Sequence, residues 1–192
     1  MDVLEAIKNR RSIRRYQKEQ ITPKERDLIL EAGRFAPSGG NNQTTHFLVI
    51  QKEEILTRLK LLAEQEFAKM ELLPGMYKSL ENSIRQSKAG GYDFLYGAPT
   101  LVLTANRKGY GNAVADCAAA LENMMLAACA LGIGSCWINQ IRWLNENPVI
   151  LDYLTELGLA GNELVWGGLA LGYPSQQPGK LARHGNPVTI LE

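Results

Sequence analysis

The chain has 192 residues, 45% of them hydrophobic, and its 21 basic and 20 acidic side chains leave a formal net charge of +1. A chain of this length buries about 70% of its unfolded surface, which predicts a single domain, residues 1–192, of α/β or α+β class. The charge balance gives no support for binding to nucleic acid or to a membrane surface.

The number and spacing of the cysteines and histidines bear on the cellular compartment and on metal binding. The three cysteines lack CxxC spacing and lie in apolar stretches, and the N-terminus lacks the basic start and apolar run of an export signal. We therefore expect a cytoplasmic protein. Two histidines and no cysteine pair offer little for a metal site, so we expect no metal.

The N-terminal segment combines a short helix with an arginine-rich stretch. Asp2 and Glu5 have the spacing of a capping box, and the chain then reads Arg10-Arg11-Ser12-Ile13-Arg14-Arg15-Tyr16. If this stretch is extended, Arg10, Ser12 and Arg14 lie on one side. Guanidinium groups beside a hydroxyl suit a phosphate, because arginine presents paired donors and keeps its charge. A solvated basic loop is the alternative.

A second helix leads into a polar loop. Thr22-Pro23 with Glu25 predicts a helix start, and the helix is expected to continue through Phe35 and Ala36 until Pro37 ends it. The loop from residue 38 to 45 is rich in amide and hydroxyl groups that could wrap a polar ligand, although a plain loop fits as well. A core strand is predicted at residues 46–50.

The middle of the chain predicts helices over residues 54–73 and 76–88 and a core strand over 98–104. Between them, Gly90-Gly91 precede Tyr92, Phe94 and Tyr96. This arrangement could be a mobile aromatic flap over a site, or a simple connection between a helix and a strand.

A helix predicted over residues 113–131 is apolar on every face, so it must be covered on all sides, within the protein or by a partner subunit. Gly132 is expected to end it, and residues 135–138 form a buried strand after Gly134. Backbone exposed by two glycines beside a core strand is where a flat ligand could rest.

The C-terminal part predicts a short helix from Asn147-Pro148 to Leu157 and a strand over residues 164–171. The tandem glycines Gly167 and Gly168 in that strand indicate that something packs closely on it. A last short strand is expected at residues 187–191, and it needs a sheet to join.

Familiar catalytic motifs are missing from the sequence. There is no GxxxxGK[ST] loop, no GxGxxG between a strand and a helix, and no GxSxG elbow. Cys136 could form a Cys/His pair with His46 or His184, but its apolar neighbours favour a structural role. The arginine stretch, the amide loop and the glycine turn together match what flavin mononucleotide (FMN) requires, with the cofactor supplying the chemistry.

Six segments, in order along the chain, resemble the FMN-dependent nitroreductases: residues 10–14, 36–43, 98–100, 115–116, 131–138 and 171–174. The resemblance implies an α+β three-layer sandwich, with a mainly antiparallel sheet between helices, built as a homodimer with an exchanged C-terminal strand. It also implies a flavin site between the two subunits. The cofactor-binding residues would be Arg10, Arg11, Ser12, Arg14, Pro37, Ser38, Gly39, Asn41, Gln43, Gly134, Cys136, Trp137, Ile138, Asn139, Gln140 and Arg183.

The implied reaction is ping-pong transfer of reducing equivalents from NADPH or NADH, through FMN, to a nitroaromatic compound or a quinone. No catalytic side chain is implied, since the flavin carries the chemistry. Asn139-Gln140 stands where many members carry Glu-Gly. Two alternatives remain open: a flavoenzyme of the same fold that performs reductive dehalogenation, azoline oxidation or flavin breakdown, and a non-enzymatic module that binds an anionic partner through Arg10, Arg11, Arg14 and Arg15.

Overall fold

The computed structural model describes residues 1–176, 178–179, 182 and 185–192. Four antiparallel strands form one sheet in the order β1-β2-β4-β3. The strands are β1 (His46–Ile50), β2 (Thr100–Arg107), β3 (Gly134–Ile138) and β4 (Glu163–Gly172). All four strands predicted in the body of the chain are therefore confirmed, and β1 and β3 form the two edges of the sheet.

Helices cover both faces of the sheet. They are α1 (Val3–Asn9), α2 (Pro23–Arg34), α3 (Glu53–Lys69), α4 (Lys78–Ala89), α5 (Ala113–Ala130), α6 (Gln140–Trp143) and α7 (Pro148–Glu156). One face of the sheet packs on α2 and α5, with α1 lying against α5, and the other face packs on α3, α4, α6 and α7. The predicted three-layer α+β arrangement is confirmed.

Local signals account for most helix ends. Both predicted capping boxes form, with the side chains of Asp2 and Thr22 each accepting from a backbone N–H and the partner glutamates reaching back. Two predicted helix ends were wrong. Helix α2 ends at Arg34 and not at Ala36, with Phe35 79% exposed, and α3 ends at Lys69 and not at residue 73. The short helix α6 directly after β3 was not predicted.

The C-terminal end of α5 is a Schellman motif. Gly132 has φ +77°, its N–H donates to the carbonyl of Cys129, and the N–H of Ile133 donates to the carbonyl of Ala128 at 2.8 Å. Glycine tolerates this left-handed backbone, so the helix stops there as predicted. The turn delivers the chain directly into β3.

Close packing surrounds the tandem glycines of β4. A Cβ atom on Gly167 would lie 2.6 Å from Cδ1 of Leu121 on α5, and one on Gly168 would lie 3.0 Å from Cδ2 of Leu103 on the neighbouring strand β2. Leu121 is fully buried at its contact. The close packing predicted from the glycine pair is confirmed, and Gly167 is the glycine that allows the central helix to approach the sheet.

Only one side of α5 is covered within a single chain. Eight of its 18 residues are buried, including Met124 and Asp116, whereas Val114 and the C-cap residue Leu131 are 40% and 38% exposed. By length and composition α5 could cross a bilayer, but the core helix of a folded domain has the same properties. The exposed side continues onto α1, where Val3, Leu4 and Ile7 are also exposed.

The predicted terminal strand over residues 187–191 is absent from this chain taken alone. These residues form no strand, and Val188, Ile190 and Leu191 are largely exposed. Short apolar segments need a neighbouring strand for their backbone hydrogen bonds, and no described residue of the same chain supplies one. Arg183, predicted to bind the cofactor, lies outside the described residues.

We expect Gly167→Ala to lower the free energy of unfolding by about 1–3 kcal/mol, because its methyl group must push Leu121 out of a packed core. Urea denaturation followed by circular dichroism measures this change. Gly161→Ala is the matched control, since a Cβ atom there meets nothing within 4 Å. Equal stability of the two variants would contradict the close contact between α5 and β4.

Candidate functional site

The arginine-rich stretch is extended and lies along the outer edge of β3. Ser12 forms a parallel bridge with Ser135, the N–H of Ile13 donates to the carbonyl of Ser135 at 2.9 Å, and Tyr16 pairs with Pro174. Ile13 is buried against Gly134, where a Cβ atom would lie 2.9 Å from Cγ1 of Ile13. Arg14 is exposed. The extended, alternating arrangement is confirmed, and we call residues 10–14 the arginine strip.

The three arginines of the strip have different partners. Arg10 lies 3.9 Å from the carboxylate of Glu122, a long and weak ion pair. Arg11 turns back to α1, and its Nη1 donates to the carbonyls of Lys8 and Arg10 at 2.7 Å. Within the described part of the chain, Arg14 has no carboxylate within 4 Å. Arg10 and Arg14 therefore have hydrogen-bond donors and positive charge available for an anion, whereas the donors of Arg11 cap the C-terminal end of α1.

Nearby side chains affect the charge and orientation of Arg14. Its guanidinium carbon lies 5.8 Å from the ring centroid of Tyr96, within the range of a cation–π contact. Desolvation lowers the pKa of Arg14, but the Cys136, Tyr96 and Tyr16 side chains outweigh that effect and raise the pKa above its ordinary value. The guanidinium is thus a permanent cation at the edge of β3.

The residues of β3 alternate between the two helical layers. Cys136 and Ile138 are buried in the core shared with α3, α4, α6 and α7, while Trp137 packs on the α5 side. Because N–H and C=O groups of alternate strand residues point the same way, the backbone of Trp137 faces the same outer edge as that of Ser135. In this predicted cofactor-binding segment, backbone groups rather than the Cys136 and Ile138 side chains face outward.

Asn139 and Gln140 make contacts within the protein. Asn139 Oδ1 accepts from the indole Nε1 of Trp137 at 2.9 Å. The buried side chain of Gln140 donates to the Tyr92 hydroxyl at 2.9 Å and faces Ser83 Oγ at 3.4 Å, while its Oε1 has no protein partner. The Gln140 side chain thus points toward α4, and both side chains of this pair are engaged within the protein.

The loop from Pro37 to Gln43 holds an unusual backbone conformation. Asn41 and Gln43 have φ values of +54° and +51°, and Gly40 lies between Gly39 and Asn41 at +59°. Side chains rarely adopt this left-handed region, and residues held there cluster at functional sites. The exposed side chains of Asn41 and Gln43 are therefore displayed by a backbone that other contacts must stabilise.

Those contacts come from the start of α5 and the loop before it. Asp116 Oδ1 accepts from the N–H of Gly39 at 3.0 Å, and the Tyr110 hydroxyl lies 3.0 Å from Asp116 Oδ2 and 3.1 Å from the Gly39 carbonyl. Ser38 Oγ accepts from the N–H of Gln43 at 3.0 Å. A Cβ atom on Gly39 would overlap the Asn112 amide, so any side chain there would have to displace that amide.

The structure does not bring all predicted site residues together within one chain. The Pro37–Gln43 loop lies at the N-terminal end of α5 beside Asp116, and the arginine strip lies beside β3, close to Cys129 near the C-terminal end of α5. The rise along the helix from Asp116 to Cys129 is about 20 Å. Ser12, Arg14, Gly134 and the β3 backbone form one group, and residues 37–43 form another.

Asp116, Tyr110 and Tyr96 support these groups and were not predicted as site residues. Asp116 is 5% exposed, and its described side-chain partners are the N–H of Gly39 in the loop and the hydroxyl of Tyr110 before α5. A buried carboxylate in the first turn of a mostly apolar helix is the signal that could have identified it. Tyr96 carries no comparable signal, because its position depends on a turn that brings it to Arg14.

The alternative of a Cys/His pair loses its geometric basis. His46 lies on β1 and Cys136 on β3, the opposite edges of the sheet, and His46 pairs with Glu163 at 2.8 Å. Burial raises the pKa of the Cys136 thiol, with Arg14 and Ser12 only partly opposing it. His184 lies outside the described residues. All three cysteines are free thiols, and Cys136 has the structural environment expected.

Comparison with known proteins identifies the family. The sequence profile of the Nitroreductase family matches residues 7–173, most of the chain. The chain belongs to the nitroreductase family. This confirms the resemblance noted in the sequence and the prediction of an oxidoreductase of this family.

Individual relatives agree with this assignment. An Archaeoglobus fulgidus protein with the provisional name NADH dehydrogenase/NAD(P)H nitroreductase is 32% identical, over 92% of this chain and 87% of that protein. An FMN reductase (NADPH) from Bacillus subtilis is 27% identical, over 95% of this chain and 70% of its own length. The crystal structure of a Bacteroides fragilis nitroreductase with bound FMN is 39% identical, covers 100% of both chains and has a TM-score of 0.90.

We expect Asp116→Ala to loosen the Pro37–Gln43 loop, because the Gly39 amide and the Tyr110 hydroxyl both lose their carboxylate partner. Hydrogen exchange of the loop amides should accelerate by about 10-fold or more, since hydrogen bonds to a charged group contribute about 1.5–3 kcal/mol. Tyr110→Phe, which keeps the carboxylate, should give a smaller effect, and Asp152→Asn on α7 should give none. Unchanged exchange in Asp116→Ala would show that other contacts hold the loop.

Proposed function

We propose that the chain is an FMN-dependent oxidoreductase that passes reducing equivalents from NADPH or NADH to a small acceptor such as a nitroaromatic compound or a quinone. The observation that carries this proposal is the arginine strip, which is fixed by backbone pairing along the glycine-flanked edge of β3. The FMN bound to the 39% identical Bacteroides fragilis protein and the NAD(P)H-linked names of the relatives support it.

The residues present fit FMN. Arg10 and Arg14 offer guanidinium donors, Ser12 offers a hydroxyl between them, and Gly134 keeps side-chain bulk off the edge where Ile13 packs. A cavity of about 260 Å³ is lined by Ser12, Ile13, Arg14, Arg15, Gln176 and Pro178. Cationic donors, a hydroxyl and open backbone are the groups that a phosphate, a ribityl chain and a flat ring require.

Each group of residues has a role in this proposal. Arg10, Ser12, Arg14 and, from the undescribed segment, Arg183 hold the phosphate and ribityl chain. The backbone from Cys136 to Gln140 lines the ring, and the loop from Pro37 to Gln43 closes over it. When bound, FMN supplies the transfer of hydride and single electrons, and the protein's part is to bind, orient and exclude water. No side-chain acid or base is required.

The separation of the two groups along α5 favours a site built from two chains. The Pro37–Gln43 loop contacts α5 at Asp116, and the arginine strip lies near Cys129, about 20 Å further along the helix, so we propose that a second copy presents its loop to the first copy's strip. The exposed apolar side of α5 and α1, including Val114, Leu131 and Ile7, gives such a dimer a surface to bury.

The exposed C-terminal segment fits the same dimer. In the described chain β1 is an open sheet edge, and a groove of about 820 Å³ beside it is lined by residues including Leu28, Phe47 and Val49. Val188, Ile190 and Leu191 could satisfy their backbone groups and bury their side chains on the sheet of a partner. This pairing would be the exchanged strand that the family resemblance implies.

We expect the purified protein to carry FMN, visible in its absorbance spectrum, and to oxidise NADPH or NADH when menadione or nitrofurazone is added. Oxygen alone as acceptor tests for a same-fold oxidase, and release of flavin fragments tests for flavin breakdown. If the purified protein is colourless and does not bind added FMN, the proposal is wrong and the alternative of a non-enzymatic anion-binding module remains.

We expect Arg14→Ala and Arg183→Ala each to weaken FMN retention by about 10- to 150-fold, the equivalent of a charge-assisted contact of about 1.5–3 kcal/mol. Equilibrium dialysis measures the dissociation constant. Arg107→Ala is the matched control, since it removes the same charge from an exposed position at the end of β2. Unchanged affinity in both test variants would remove these residues from the site.

A mixed dimer tests whether the site is shared. We expect Arg14→Ala and the double variant Asn41→Ala/Gln43→Ala each to retain little FMN alone. When the two are co-expressed with different tags and purified through both, one of the two sites in each mixed dimer is intact and should retain flavin. A doubly tagged dimer that stays colourless would place both groups of residues in a single-chain site.

A further inference from the structure

Tyr96 is one of four residues other than glycine that have positive φ in the described chain, with φ +57°. Two of the others, Asn41 and Gln43, lie in the loop that the proposed function places over the cofactor, and Asn186 lies in the C-terminal segment. An aromatic side chain in this backbone region is rare, so its surroundings must hold it there.

A tight turn holds Tyr96 in this conformation. The carboxylate of Asp93 accepts from the N–H groups of Leu95 at 2.9 Å and Gly97 at 3.1 Å, one on each side of Tyr96. Lys60 Nζ lies 3.3 Å from the same carboxylate, and Phe94 and Leu95 are fully buried anchors. The burial of Phe94 and Leu95 favours a packed connection between α4 and β2 over a mobile flap in the segment after Gly91.

The result of this turn is that the ring of Tyr96 faces the guanidinium of Arg14, with 5.8 Å between the guanidinium carbon and the ring centroid. A guanidinium that lies over an aromatic ring keeps N–H donors available for another partner. The Tyr96 hydroxyl also raises the pKa of Arg14 as a hydrogen-bond partner, and a guanidinium with five N–H groups has donors beyond that one contact. The described chain places no carboxylate within 4 Å of Arg14 to take up those donors.

We propose that Tyr96 is a positioning residue that fixes the plane of the Arg14 guanidinium so that its free donors meet an anionic group of the cofactor. This inference rests on the proposed function. The anionic group is either the phosphate of FMN or the pyrimidine end of the isoalloxazine ring, which gains negative charge on reduction. Both present oxygen acceptors to a planar donor.

The test compares Tyr96→Leu, which removes the aromatic face, with Tyr96→Phe, which keeps it. We measure the dissociation constants of FMN and of riboflavin, which lacks the phosphate, and the reduction potential of the bound FMN. If Arg14 contacts the phosphate, Tyr96→Leu should raise the dissociation constant of FMN by about 3- to 30-fold and leave that of riboflavin unchanged. A contact to the reduced ring predicts a lower reduction potential instead. Either result supports the proposal, provided that Tyr96→Phe behaves as the wild type.

A double-mutant cycle separates positioning from direct contact. In an Arg14→Ala background, Tyr96→Leu should have no further effect, because the side chain it positions is gone. Arg58→Ala is the control, since its guanidinium stacks on Tyr153 at 5.3 Å in a cation–π pair on α3 and α7. An undiminished effect of Tyr96→Leu in the Arg14→Ala background, or none in the wild type, would overturn the inference.

These outcomes are distinct from failure of the proposed function. If the wild-type protein binds no FMN, the proposed function fails. The other case is a wild type that binds FMN, with Arg14→Ala lowering the affinity for FMN. If Tyr96→Leu then changes neither the affinity for FMN nor its reduction potential, only the role of Tyr96 is refuted.

Discussion

The packing of α5 on the sheet positions both parts of the candidate site. Gly167 lets Leu121 approach β4, and Gly33 of α2 lies against Met124 on another side of the same helix, where an added Cβ would lie 2.9 Å from Cγ of Met124. With the helix axis fixed by these contacts, its first turn presents Asp116 to the loop, and its last turn leads through Gly132 into β3. A shift of the helix would therefore displace the loop and the β3 edge together.

The two parts of the site are stabilised in different ways. The arginine strip is held by backbone pairing with β3 and by the buried side chain of Ile13, which leaves Arg10 and Arg14 with little ionic compensation. The loop is held in a strained backbone by a buried carboxylate and a tyrosine hydroxyl. In both cases the fold supplies the stability and the ligand-facing groups contribute little to it, as binding sites on rigid scaffolds commonly do.

A flavin site of this kind explains why the sequence lacks a catalytic constellation. Because the cofactor carries the redox chemistry, the protein needs only hydrogen-bond donors, glycines and apolar surfaces around it. Each of these residues individually resembles an ordinary loop or core residue. Cys136 illustrates this point, because its position beside Arg14 suggests reactivity, whereas burial raises its pKa and its side chain faces the core. The choice of electron acceptor depends on the residues that face the open side of the ring.

The sequence by itself determined the elements and the family. Alternation put Ser12 and Arg14 on one side of an extended segment, the capping boxes set the starts of α1 and α2, and the glycines at 132 and 167 marked a helix end and a close contact. These features follow from local geometry, which a few adjacent residues specify. The helix limit at Arg34 and the short helix α6 were missed, because helix ends depend on competing contacts that local patterns do not record.

Only the tertiary structure decided which residues meet across the chain. Asp116 reaches Gly39 across 77 positions, and Tyr96 reaches Arg14 through a turn stabilised by Asp93 and Lys60. It also showed that the loop and the arginine strip lie at opposite ends of α5 and that the residues at 187–191 have no strand partner in their own chain. Such pairings arise from the packing of distant segments, so no local sequence pattern can specify them.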